Sequence, residues 1–177
     1  TERILEATLS ELVARGYAEL RIERIAASVG CGKTAIYRRW PTRGELVAAA
    51  MNHASVLGDL PDTGSVLEDL VLHVERNVRN QGKFPNQSNP YAAVVVPEVR
   101  RHLWDGGFLG SRRSVGRLIV QRGIAHGQLP PATDIDAVLD LLAGFVLYRN
   151  TVRPTPIDSG AVRAVVSAIV ASPPLTA

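Results

Sequence analysis

Cysteine is almost missing from this sequence: Cys31 is the only one in 177 residues. One thiol excludes an intrachain disulfide framework and a cysteine-based zinc site. Long hydrophobic runs are missing too. The longest candidate, Val138 to Tyr148, falls short of the eighteen or so residues of a membrane span and follows two aspartates. No basic-then-apolar leader precedes a cleavage-type site. Lysine occurs only as Lys33 and Lys83, so arginine carries nearly all the positive charge. The composition that remains, 46% hydrophobic and 21% charged, is that of a globular domain and excludes wholesale disorder. The expectation is a soluble, reduced, cytoplasmic protein.

Chemistry-bearing sets are equally scarce. His53, His73, His102 and His126 are scattered, and none has a second histidine three or four residues away, so no metal site is expected. No carboxylate pair is spaced for acid–base work and no nucleophile–base pair is visible, so neither catalytic residues nor a cofactor are expected. Gly30-Cys31-Gly32-Lys33-Thr34 imitates the end of a phosphate-binding loop, but Ala27 stands where that loop needs glycine, and a helix rather than a strand precedes it.

Charge is informative through its position. Residues 1–43 hold eight basic side chains against five acidic, while residues 44–177 balance to zero. Within residues 21–43 six basic side chains face one acidic, the footprint of a polyanion-binding element.

Periodicity reads as helix throughout, so the fold expected is all-α with about nine helices. Ile4, Leu5, Leu9, Leu12 and Val13 define the first helix, stopped by Gly16. Ile22, Ile25, Ala26 and Val29 define a short second helix ended by Gly30, and Lys33 to Arg39 a third with Ile36 inward. Pro41 ends that helix. Thr42 with Glu45, and Ser65 with Glu68, read as capping boxes opening a fourth helix to about Leu57 and a fifth along Val66, Leu67, Leu70, Val71, Val74 and Val78. Gly82 to Pro90 is a break, and Pro97 splits the stretch Tyr91 to Trp104, where Val94-Val95-Val96 gives only a weak strand signal. A helix from about Ser111 to His126 has Val115, Leu118 and Ile119 inward. Thr133 and Asp136 cap the next, which runs to about Thr151 and is apolar nearly all round. Asp158 to Ala171 forms the last, and 172–177 reads as a frayed tail.

Three short helices, a glycine turn between the second and third, and a basic third helix describe a helix-turn-helix. Two helices bury an apolar face and hold the third rigid, so that its outer face fits a major groove about 12 Å wide. That face offers Lys33, Thr34, Tyr37, Arg38 and Arg39 as donors to phosphate oxygens or base edges. Amides at Gly44 to Leu46 add a helix N-terminus after Arg43.

The run Ile25-Ala26-Ala27-Ser28-Val29-Gly30-Cys31-Gly32-Lys33-Thr34-Ala35-Ile36-Tyr37-Arg38-Arg39-Trp40-Pro41-Thr42-Arg43-Gly44-Glu45-Leu46 closely resembles the signature of TetR-family repressors, IA-x-x-A-G-V-S-x-x-x-[LI]-Y-x-x-F-x-x-K-x-x-L. The resemblance covers about the first 50 residues. It implies that Tyr37 contacts the DNA backbone, that Gly32, Lys33, Thr34 and Ala35 stand at turn and recognition-helix positions, and that Arg39 stands at another frequent DNA-contact position, beside Arg38 on the exposed face. Arg43 replaces the phosphate-binding lysine and Arg21 a threonine that opens the second helix. Cys31-Gly32 replaces the usual Val-Ser, so the serine cap is absent, and Trp40 replaces the usual phenylalanine.

The resemblance further implies two domains, 1–45 for DNA and 46–177 for effector binding and dimerisation. Leu139, Leu142, Val146, Val162, Val166 and Ile169 are then the dimer-interface candidates, and His73, Asn77, Trp104, Phe108, Arg122, Phe145 and Tyr148 the candidate lining of an effector cavity. A homodimer would set two recognition helices about 34 Å apart on a pseudo-palindromic double-stranded operator. A small-molecule effector would then release this repressor. The alternative left open is a helical small-molecule-binding protein without operator function.

Overall fold

The computed structural model describes residues 1–82, 90–153 and 155–176. They form nine α-helices, with no strand among the described residues beyond one isolated Thr133–Leu175 bridge. The chain divides into two compact units, residues 1–55 with 83–110, and residues 56–82 with 111–177.

In the first unit, α1 (Glu2–Glu19) buries Leu5, Thr8, Leu12 and Val13, and the Thr8 hydroxyl is satisfied by the Ile4 carbonyl at 2.7 Å. Gly16, at φ 74°, breaks the helical path. The short α2 (Ile22–Val29) buries Ile22, Ile25 and Ala26 and ends at Gly30 in the left-handed conformation, φ 71°. That geometry lets the Cys31 amide reach the Ala26 carbonyl at 3.0 Å. α3 (Lys33–Tyr37) spans five residues, two fewer than expected, because Arg38 and Arg39 continue as a turn. α4 (Arg43–Ala54) starts where the Thr42 hydroxyl accepts the Glu45 amide at 3.1 Å, and it stops short of the expected Leu57. Arg24 ties α2 to α1 through the Glu11 carboxylate and the Glu19 carbonyl.

The expected boundary after residue 45 is not where this unit ends. Leu46, Val47, Ala50 and Met51 of α4 share one core with α1, α2 and Ile36, and with Val99 and Leu103 of α6 (Pro97–Trp104). Pro97 does split the preceding stretch, but by opening α6 at a position where its missing N–H costs nothing. Residues Pro90–Val95 form a 3-10 turn rather than the weakly signalled strand.

The second unit is built on α5 (Val66–Gln81), α8 (Ile135–Leu147) and α9 (Ser159–Ala171) with most of α7 (Phe108–Ala125). Its core is Val66, Leu70, Val74, Ile119, Val120, Val138, Leu142, Val146, Val162 and Val166, among others. Gly116 and Gly123 of α7 permit close packing: a Cβ would stand 2.7 Å from Leu139 at the first and 2.6 Å from Val66 at the second.

Several local expectations for this unit are corrected. Leu118 points outward, 52% exposed, while Val120 takes the inward place. Asp134, not Thr133, caps α8, accepting the Ala137 amide at 3.0 Å, because the Thr133 hydroxyl is held by the Pro130 carbonyl and Asp136 by Arg113 and Arg117. Ser65 caps α5, but the Glu68 carboxylate is drawn from it into a paired contact with Arg163 at 2.6 and 2.7 Å. The tail is docked: the Asp134 amide donates to the Pro174 carbonyl and the Thr176 amide to the Ala132 carbonyl, each at 2.8 Å. α8 continues into a π-turn, Tyr148–Val152. No helix among the described residues is long and apolar enough to cross a membrane.

Candidate DNA interface

Ile36 is the pivot of α3. Fully buried, it anchors the short helix in the core of the first unit, so the residues around it face outward. Gly32, Lys33, Thr34, Tyr37, Arg38 and Arg39 are exposed, Tyr37 by 44%, and Ala35 is half-buried. Large aromatics are normally withdrawn from water, so an outward tyrosine on a short basic helix points to a partner. Trp40 is turned back onto the core. Gly32 is the N-cap of α3 at φ −80° and supplies no side-chain cap, as its replacement of serine implies. Gly30 alone in this turn needs a positive φ.

The basic side chains fall into two groups. Arg24 is bound to Glu11, and Arg15 lies 3.8 Å from it. By contrast Arg21, Arg38, Arg39 and Arg43 have no carboxylate within ion-pair distance among the described residues, which leaves their hydrogen-bond capacity for an outside anion. Lys33 is intermediate. Its ammonium meets the Glu23 carboxylate at 2.8 Å on the open surface. The hydrogen bond from Lys33 lowers the Glu23 carboxyl below its ordinary range, and the same bond raises Lys33.

Two contributors were not singled out from the sequence. Glu23 lies ten residues from Lys33, beyond any single-helix spacing, so only the fold reveals the pair. Tyr17 was likewise not singled out, yet the Arg43 guanidinium carbon lies 4.3 Å from its ring centroid.

The candidate dimer residues are placed differently from the expectation. Leu139, Leu142, Val146, Val162 and Val166 are at most 5% exposed inside the unit's own core, and only Ile169 reaches the outside. The opposite faces of α8 and α9 instead line an open apolar groove of about 810 Å³. Ala137, Leu141, Gly144, Phe145 and Tyr148, with Asp140 as the one charged residue, contribute from one side and Val165, Ala168 and Ile169 from the other. Leu141 is 51% and Tyr148 54% exposed, against the usual withdrawal of such groups. The helix is apolar on both sides, one filling the unit's own core and the other lining the groove, and periodicity could not say which side was which.

The effector candidates are not gathered into one place. Trp104 and Phe108 belong to the first unit, the first of them exposed and the second buried. Phe145 and Tyr148 lie on the groove. Arg122 is engaged by Asp69 at 2.7 Å, Asp62 at 3.2 Å and the Pro61 carbonyl, pinning the 58–64 loop. His73 and Asn77 remain together on the buried face of α5, with Gln81 one turn further on. The Gln81 amide donates to Asn77 at 3.3 Å and accepts from Asn150 at 3.1 Å. Burial, with Arg112 and Arg76 nearby, pushes the His73 imidazole down to about 3, so it is neutral at ordinary pH.

Comparison with known proteins agrees with this geometry. The bacterial regulatory proteins, tetR family, match residues 4–50, and the tetracyclin repressor-like C-terminal domain matches residues 60–169. An uncharacterized HTH-type transcriptional regulator of Mycobacterium bovis is 30% identical over 173 residues, covering 94% of this chain and 84% of its own. The DNA-binding transcriptional repressor TetR of Mycobacteroides abscessus is 26% identical, with 84% of this chain and 80% of its own covered. Among solved structures, the transcriptional regulator FadR of Bacillus subtilis in complex with stearoyl-CoA has the same fold, with a TM-score of 0.73 at 16% identity, 96% of this chain and 97% of that one being covered. The chain belongs to the TetR family of helix-turn-helix transcriptional regulators, and it is a DNA-binding regulator of that class.

Proposed function

We propose that this regulator is a cytoplasmic homodimeric repressor that grips a pseudo-palindromic operator with two α3 helices and lets go when a small molecule binds its second unit. The observation that carries the reading is the division of cations in the first unit. Among the described residues, Arg21, Arg38, Arg39 and Arg43 have no carboxylate within ion-pair distance, and they flank a recognition helix whose single buried side chain is Ile36. Phosphate contacts from these arginines position the helix, and Thr34, Tyr37 and Lys33 lie nearest to base edges or the adjoining backbone.

A second copy of the chain is the occupant we assign to the α8–α9 groove. A twofold contact would bury Leu141, Phe145 and Tyr148 against the same residues of the partner and remove the exposed apolar surface. Two heads then meet successive major-groove faces, about 34 Å apart. Release by an effector requires a ligand that prefers a different separation of the heads. The buried polar row His73, Asn77 and Gln81 supports an effector contact inside the second unit.

Selection of bound fragments from genomic DNA tests the reading. The expected product is an inverted repeat with half-site centres about one or two helical turns apart. Recovery of no enriched repeat, with purified protein that is folded and dimeric, overturns it and favours a small-molecule binder without an operator.

A further inference from the structure

Arg43 occupies the first turn of α4, just after the Thr42 cap, and its side chain is half-buried. Among the described residues it has no carboxylate within ion-pair distance, and its guanidinium carbon lies over the face of Tyr17, 4.3 Å from the ring centroid. Tyr17 follows Gly16, whose φ of 74° takes the chain out of the α1 path. Tyr17 packs against the core of the first unit, and its hydroxyl is buried with no hydrogen-bond partner among the described residues. The ring, not the hydroxyl, is therefore the part that does something here, and its upper face is covered by a guanidinium.

We propose that Tyr17 is a positioning residue for DNA binding: its ring is a platform that holds the Arg43 guanidinium flat and ready for a backbone phosphate. The inference rests on the DNA-binding reading above. A planar cation stacked on an aromatic face keeps its N–H groups in the plane and free at the edge, which suits paired contact with phosphate oxygens. Holding the long side chain in one arrangement before binding also reduces the freedom lost on contact. Lysine, a point charge on a flexible stem, would gain little from such a platform. This explains why arginine is effective at a position where the family signature carries lysine.

The test is a double-mutant cycle on an operator duplex, read by fluorescence anisotropy at several salt concentrations. Tyr17→Leu keeps apolar bulk and removes the platform, and Tyr17→Phe keeps the platform. With Arg43 present, Tyr17→Leu is expected to weaken binding about 5- to 30-fold for two heads, the effect of a modest cation–π contact counted twice. Tyr17→Phe stays within about twofold of the parent on the same scale. In an Arg43→Ala background the Leu substitution changes nothing further. Equal losses in both backgrounds would mean that Tyr17 acts only through folding, and the proposal is overturned. Should Tyr17→Leu not fold, Arg43→Lys decides: weaker binding at an unchanged salt slope supports the platform, and parental affinity overturns it. If Arg43→Ala alone leaves affinity and salt slope unaltered, the phosphate contact itself fails, which is distinguishable from failure of the platform.

Discussion

Truncating Ile36 puts the presentation of α3 to a direct test. This side chain is fully buried, and it is the only buried residue of a five-residue helix. So short a helix has no independent stability in water, so its geometry is borrowed from the contact Ile36 makes with the core. Ile36→Ala removes three carbons from a packed site and should cost about 2–5 kcal/mol. A domain of this kind is stable by only about 5–15 kcal/mol, so the loss is a large share of the total. Ile36→Val removes one carbon and should cost about 0.5–1.5 kcal/mol. Urea unfolding followed by circular dichroism gives the stability change, and anisotropy with an operator duplex gives the affinity. The valine variant keeps most of the anchor and stays folded, so it should bind within about threefold of the parent. The alanine variant should lose specific binding by at least tenfold while its sedimentation stays that of the parent. Parental affinity and parental stability in Ile36→Ala would refute the idea that this single anchor orients the helix.

Other perturbations have equally definite outcomes. Glu23→Gln frees Lys33 from its 2.8 Å partner and removes a negative charge beside the recognition helix, so DNA affinity should rise in anisotropy titrations, most at low salt. Asp69→Ala removes the buried carboxylate that Arg122 and both the amide and hydroxyl of Thr63 share inside the second unit and should cost about 3–5 kcal/mol in urea unfolding, whereas loss of an equivalent surface pair would go unnoticed. Leu141→Asp places a carboxylate in the apolar groove and should shift sedimentation towards single chains without lowering helix content. His73 adds a pH dependence. Its folded value near 3 lies below the unfolded value of about 6.5, so the unfolded chain binds more protons at acid pH. The stabilisation is complete above pH 6.5 and is lost progressively as pH falls towards 3, at about 1.4 kcal/mol per pH unit. His73→Gln should flatten that part of the stability profile.

The helix-turn-helix was legible because each of its signals is local. Gly16 and Gly30 need positive φ, Thr42 caps α4, and Ile36 alone faces inward, all within spans that a pattern of neighbours can register. The outward place of Tyr37, Arg38 and Arg39 follows from the same period. Long-range contacts were not legible. Glu68 left its expected capping role for Arg163, 95 residues away, and Asp136 left its own for Arg113 and Arg117. Charge pairs across helices outcompete a local cap when geometry brings the partners together, and sequence spacing carries no sign of that. In α8 the apolar residues span both faces, so a 3.6-residue period could not separate Leu142 and Val146, which fill the core, from Leu141 and Phe145, which line the groove. Tyr17 and Glu23 were missed for the same reason as Arg163: their partners come from other elements.

The central claim is that two copies of this chain bring two cationic heads to one duplex. Stoichiometry and salt dependence measured together on a selected palindromic duplex test it most directly. The account predicts two chains per duplex and an affinity that falls linearly on a log–log plot against salt, with a slope of magnitude about 4 or more if two to four arginines per head meet phosphates. Tyr37→Ala with Arg39→Ala should lower that slope by about 2, one lost arginine contact from each head, while the protein remains dimeric. One chain per duplex, a flat salt dependence, or a double variant that binds like the parent would contradict it.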